Sequence, residues 1–116
     1  MNSEDLKRKT KLFAIEIINL VEFFPKSNAG FVTGKQIIRS AASVGANYRS
    51  ACRAKSKADF VAKLSIVEEE ADETMYWPEL ATECGLISIE SGEKSLNEAN
   101  ELTAIFTASR KTAKGN

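Results

Sequence analysis

Apolar residues recur at steps of three and four through four successive stretches of this chain, and no stretch alternates apolar and polar positions as a half-buried strand would. That periodicity predicts helices and nothing else. With 116 residues there is room for one core, because domains run about 100–150 residues and two cores would each be short of buried surface. Residues 1–116 are expected to form a single domain. A content of 43% hydrophobic and 28% charged residues, with only two Pro, keeps the chain out of the disordered and low-complexity classes.

The first stretch, about Ser3 to Phe24, places Leu6, Phe13, Ile17, Leu20, Val21 and Phe24 on one face. Ser3 is its expected N-cap and Pro25 its stop, since proline cannot donate the ladder bond. The run PKSNAGFVTG is then the expected loop. The second helix is expected from Thr33 to about Ala54, with Ile37, Ala41, Val44, Tyr48 and Ala51 toward the core. A third is expected from Ser56 to about Cys84, capped by Ser56 and Asp59 and stopped by Gly85. Its core stripe is Phe60, Leu64, Val67, Ala71 and Met75. Pro78 removes the donor that would bond the Thr74 carbonyl, which predicts a kink or break near Trp77. The fourth helix is expected to be capped by Ser95 and Glu98, to turn Leu96, Ala99, Leu102, Phe106 and Ala113 inward, and to fray over KTAKGN. Four helices with short links predict an all-α, antiparallel up-down-up-down four-helix bundle.

Two of these helices are apolar on a second side. Leu12, Ile15 and Ile18 on the first, and Ile66, Tyr76, Trp77 and Leu80 on the third, lie away from the core stripes. One reading is a broad core stripe. The other, which we favour for the third helix and weigh equally with the first reading for the first helix, is contact between copies, because a single small core cannot cover both sides of a helix. Trp77 is the expected anchor, and its replacement by alanine is expected to weaken assembly more than it unfolds the subunit.

The charges sum to zero but are divided unevenly. Residues 1–58 hold 11 Lys or Arg against 4 Asp or Glu, and residues 59–116 hold 5 against 12. Such halves either cancel one another, within the bundle or between subunits, or expose a basic surface to phosphates. Cancellation is favoured, because nucleic-acid binders are usually basic overall. The nucleic-acid alternative rests on Lys35, Arg39, Arg49 and Arg53, which share the back of the second helix. Beside them Gln36, Ser40, Ser43, Asn47 and Ser50 form a small polar stripe, expected to bond a neighbouring helix with Glu70 as partner.

No catalytic constellation is found. The chain has no His, and its two cysteines, Cys52 and Cys84, form no CxxC pair, so zinc sites and imidazole-assisted catalysis lack their usual groups. The acidic run Glu68, Glu69, Glu70, Asp72 and Glu73 cannot build a di-iron site without Glu-x-x-His motifs and reads as a solvated face. A non-enzymatic protein with no cofactor, metal or identified small-molecule substrate is expected. No run of about 18 apolar residues is present, and the N-terminal MNSEDLKRKTK is charged where a signal peptide is apolar. No membrane contact and a cytoplasmic location are expected.

Three elements in order carry a family likeness. Gln36, Ile37, Arg39, Ser43, Val44 and Asn47 form the first, Ser56, Asp59, Phe60, Lys63 and Leu64 the second, and Glu70, Ala71, Glu73, Thr74, Tyr76 and Trp77 the third. In these the chain resembles the four-helix-bundle proteins of 23S rRNA intervening sequences, a family related to the accessory variability protein of diversity-generating retroelements. It departs from the pattern at Ser50, Glu68, Glu69 and Pro78. The resemblance implies a bundle that assembles as a ring, pentameric in its comparable members, and a function that is mostly unknown. The related branch implies a basic surface engaging nucleic acid and reverse transcriptase. The expected partners are thus further copies of the chain, with RNA or another protein as the alternative.

Overall fold

The computed structural model describes residues 1–115, which form four helices: α1 (Ser3–Val21), α2 (Asn28–Ala51), α3 (Lys57–Glu83) and α4 (Ile89–Gly115). They stand side by side in a rod of 46 × 20 × 19 Å. Short links reverse the chain at each step, giving the antiparallel four-helix arrangement. Successive helices pack on one another along the whole sequence, whereas α1 and α4, which would close the circle, meet only sparsely. The bundle therefore has three tight seams and one loose one.

The core is built from the expected stripes. Leu6, Phe13 and Ile17 of α1, Ile37, Ala41, Val44, Tyr48 and Ala51 of α2, Leu64, Val67 and Ala71 of α3, and Ala99, Leu102 and Phe106 of α4 are all buried. Phe60, Met75 and Ala113 are half-buried against this cluster. Tyr48 and Phe106 meet at its centre, with ring centroids 5.3 Å apart.

The helix ends depart from expectation in instructive ways. Asn2, not Ser3, caps α1: its Oδ1 accepts from the Asp5 N–H at 2.9 Å while Asp5 Oδ2 accepts from the Asn2 N–H at 3.1 Å. α1 stops at Val21, yet Phe24 beyond it stays buried. α2 begins at Asn28, five residues before Thr33, because Ser27 accepts from the Gly30 N–H. Gly30 and Gly34 read as loop residues but serve close approach. A Cβ on Gly30 would sit 2.0 Å from the Pro25 carbonyl oxygen, and one on Gly34 would sit 2.7 Å from Val21 Cγ1. α2 ends at Ala51, three residues before the expected Ala54, with Cys52 as its C-cap.

Ser56 caps α3 as expected, but Asp59 returns its bond to the Lys55 N–H at 3.0 Å. Pro78 does not break the helix, which runs on to Glu83 with Pro78 fully buried. The Thr74 hydroxyl donates to the Ala71 carbonyl and the Thr82 hydroxyl to the Pro78 carbonyl, so the two threonine side chains flanking the proline are bonded along the helix. Gly85 ends α3 at φ +75°. Its N–H reaches the Thr82 carbonyl and that of Leu86 reaches Ala81, the paired bonds of a Schellman turn.

α4 begins at Ile89 rather than Ser95. Ser88 Oγ accepts from the Ser91 N–H at 3.1 Å, which places the cap there, and Ser95 is buried in the helix instead. Gly92 permits this early start, since a Cβ there would strike Thr82 Oγ1 at 2.0 Å. The tail is helical through Gly115 rather than frayed, and Asn116 lies outside the described residues.

Candidate interaction surfaces

The acidic run of α3 does not act as a unit. Glu68 turns to α4, where its carboxylate accepts from Arg110 Nε at 2.8 Å. Hydrogen bonds from Thr107, then Arg110, hold it below the ordinary carboxylate range. Glu70 and Glu73 turn to α2 and take Arg39 between them, with Arg39 Nη1 to Glu70 Oε2 at 3.1 Å. Glu69 and Asp72 point to solvent. Among the described residues no group of three or more His, Cys, Asp or Glu is placed to hold a metal ion.

That pairing changes the reading of the basic face. Arg39 is committed twice over to α3, and its Nε also donates to Gln36 Oε1 at 3.0 Å. It is not free for a phosphate. Lys35 lies near the start of α2 beside Glu22 and Phe31, while Arg49 and Arg53 lie at the other end. The four residues therefore do not converge. Arg49 instead joins Lys7, Arg8 and Lys11 of α1 around a shallow concavity, with Glu4 and Asp5 at its edge. The sequence signal for this patch was the KRKTK run, which the wheel of α2 alone does not connect to Arg49.

The small polar stripe turns its bonds inward along α2 rather than across to α3. Ser40 donates to the Ile37 carbonyl and Asn47 to the Ser43 carbonyl, and Glu70 takes Arg39 in their place. Cys52 and Cys84 are exposed free thiols. Tyr48 has its phenol pushed well up by burial, and secondarily by Cys52 beside it.

Most of the second apolar faces are in the open. Leu12 is 51% exposed, Ile15 46%, Ile18 41%, Ile66 44% and Tyr76 57%. Trp77 and Leu80 are different. Both are half-buried, and Trp77 packs against the chain's own core with Nε1 donating to Glu73 Oε1 at 3.3 Å. Tyr76 meets the Trp77 ring edge-on at 5.0 Å. Trp77, the expected interface anchor, thus also packs on the chain's own core, so its removal would reach the subunit core as well.

The loose α1–α4 seam holds a group that sequence reading missed. Glu16 of α1 and Glu98 of α4 face each other within hydrogen-bond reach, among Leu12, Phe13 and Leu102. Burial, then the hydrogen bond and charge of Glu16, push the Glu98 carboxyl up to about 7, against the pull of Lys94 and Lys9. Lys9 is itself held by Glu101 at 2.8 Å.

A family model described as 23S rRNA-intervening sequence protein matches residues 3–108. The chain belongs to that family. Its fold agrees with a crystal structure from Bacteroides thetaiotaomicron, a protein of unknown function from the S23 ribosomal protein family, at TM-score 0.87 and 40% identity. The superposition covers 96% of this chain and 99% of that one. No curated protein matches this member of the family. Neither likeness points to an enzymatic family. Among the described residues no helix is long and apolar enough to cross a membrane.

Proposed function

We propose that this family member is a non-enzymatic, cytoplasmic assembly module that works as a homo-oligomeric ring, pentameric by the family resemblance. The observation that supports this is the pair of uncovered apolar faces. Leu12, Ile15 and Ile18 on α1, and Ile66 and Tyr76 on α3, stand in solvent although the chain has a complete core of its own. Isolated surface apolar residues need no explanation, but two rows of them on helices at opposite corners of one bundle do. Light scattering at micromolar concentration tests the reading. A mass above that of the 12.7 kDa chain supports it, and a monomer removes it.

A second reading is favoured by the convergence of Lys7, Arg8, Lys11 and Arg49. This patch would take phosphates of RNA, and binding would fall steeply with salt as counterions are released. Anisotropy of labelled structured RNA and of mixed duplex DNA at two salt concentrations checks it. Loss of binding in Lys7→Glu with Arg49→Glu supports a phosphate-binding face, and no binding at low salt rejects it.

A further inference from the structure

We propose that copies of this chain join head to tail, the outward stripe of α1 on one copy seated against the outward stripe of α3 on the next; this rests on the assembly reading above. On α1 the exposed positions Arg8, Lys11, Ile15 and Ile18 follow one another at steps of three and four, with Leu12 beside them. On α3 the exposed positions Ile66, Glu69, Asp72, Tyr76, Glu79 and Glu83 do the same. Each stripe is a ridge with apolar side chains set among charges, the anatomy of an interface core and rim.

The charges left over after the chain has satisfied itself decide what covers these ridges. Within the subunit Glu68 is taken by Arg110, Glu70 and Glu73 by Arg39, and Glu101 by Lys9. Arg8, Lys11 and Arg49 pair with no acid among the described residues, and Glu69, Asp72, Glu79 and Glu83 pair with no base. On the outward stripe of α1 the surplus is positive at Arg8 and Lys11, with Glu22 the one unpaired acid beyond Ile18, and on the outward stripe of α3 it is negative. The two helices make no close backbone approach and no ion pair with each other within the subunit, so neither surplus cancels the other there. A contact of α1 with α1 would set Arg8 and Lys11 against their own copies, and α3 with α3 would oppose eight carboxylates in all. Only α1 on α3 joins opposite charges around the apolar centres. Such a contact uses two different faces and is heterologous, so it repeats until a ring closes.

Two variants test the pairing by light scattering. Arg8→Glu with Lys11→Glu makes both stripes acidic, and Glu69→Lys with Asp72→Lys and Glu79→Lys makes both basic. Each alone is expected to run as a monomer with unchanged helical circular dichroism, because every altered position is exposed. Mixed in equal amounts they are expected to assemble with both chains in equal number, since each now complements only the other. Strict alternation cannot close a five-membered ring, so the mixed product is an even-numbered ring or an open chain above monomer mass rather than the wild-type mass. The mixture also controls for misfolding, because an unfolded variant cannot restore assembly. Either variant keeping the wild-type mass alone, or the mixture staying monomeric, overturns the head-to-tail pairing while leaving the assembly reading in place. A wild-type monomer overturns the assembly reading itself.

Discussion

The carboxyl pair in the α1–α4 seam makes the stability of this bundle depend on pH in a direction opposite to that of most acids. Glu98 holds its proton up to about 7 in the folded chain, against an ordinary value of 4.5. The folded state therefore binds more protons than the unfolded state between those two values, and stability falls as pH rises through the interval. The contribution is fully present below about 4.5 and lost above about 7. At about 1.4 kcal/mol per pH unit the full displacement corresponds to roughly 3 kcal/mol. The seam is open to solvent on its outer side, which reduces this to about 1–2 kcal/mol. Urea unfolding followed by helical circular dichroism at several pH values reads it directly. Glu98→Gln keeps the shape and removes the charge, so the variant should lose most of the slope and exceed the wild type in stability above neutral pH. Parallel pH profiles for wild type and variant would refute the reasoning, because the slope would then belong to other groups.

Gly30→Ala should cost about 1–3 kcal/mol in the same assay, since its Cβ would meet the Pro25 carbonyl oxygen at 2.0 Å and backbone must move to admit it. Gly115→Ala, with no atom within 4 Å of the new methyl, should lie within about 0.5 kcal/mol of wild type and serves as control. Gly85→Ala should cost about 1–2 kcal/mol although its surroundings are open, because φ of +75° is unfavourable for a residue with a Cβ. Phe106→Ala removes a fully buried ring packed on Tyr48 and should cost about 3–5 kcal/mol. Amide hydrogen exchange should find α1 less protected than α2 and α3 in the charge-reversed monomers, with the difference shrinking when the two variants are mixed.

Periodicity was enough to place the core, and not enough to place the helix ends or the surface pairs. The five apolar positions of α2 from Ile37 to Ala51 are all buried because a period near 3.6 has one solution once the face is known. The sequence pattern puts the starts of α2 and α4 five and six residues late, because Gly30, Gly34 and Gly92 are weak helix formers in isolation. Their reason for being glycine is contact with Pro25, Val21 and Thr82, which no local pattern contains. The missing donor of Pro78 predicts a kink or break, but the helix runs through it with Pro78 buried, and burial against the core outweighs one lost ladder bond. The pairing of Arg39 with Glu70 and Glu73 joins residues on two helices, and that of Glu16 with Glu98 joins the first helix to the last. Each needs the packing of the helices before it can be seen.

These surface pairs also explain why α1 is the helix on which assembly and stability should meet. α2 and α3 are each gripped by two neighbours, whereas α1 packs firmly on α2 alone. Its side toward α4 is a seam carrying two carboxyls that repel once their proton leaves, offset in part by the Lys9–Glu101 pair. Its outer side carries Leu12, Ile15 and Ile18 in solvent. A helix with one good side is weakly held by its own subunit, and a neighbour covering its outer ridge would supply the missing apolar contact. The same contact would bring acidic residues of α3 toward Arg8 and Lys11, at the opposite end of α1 from Glu22. Assembly and the seam carboxyls would then act on the same helix from two sides, so that raising pH above neutral loosens the grip on α1 that a partner copy restores.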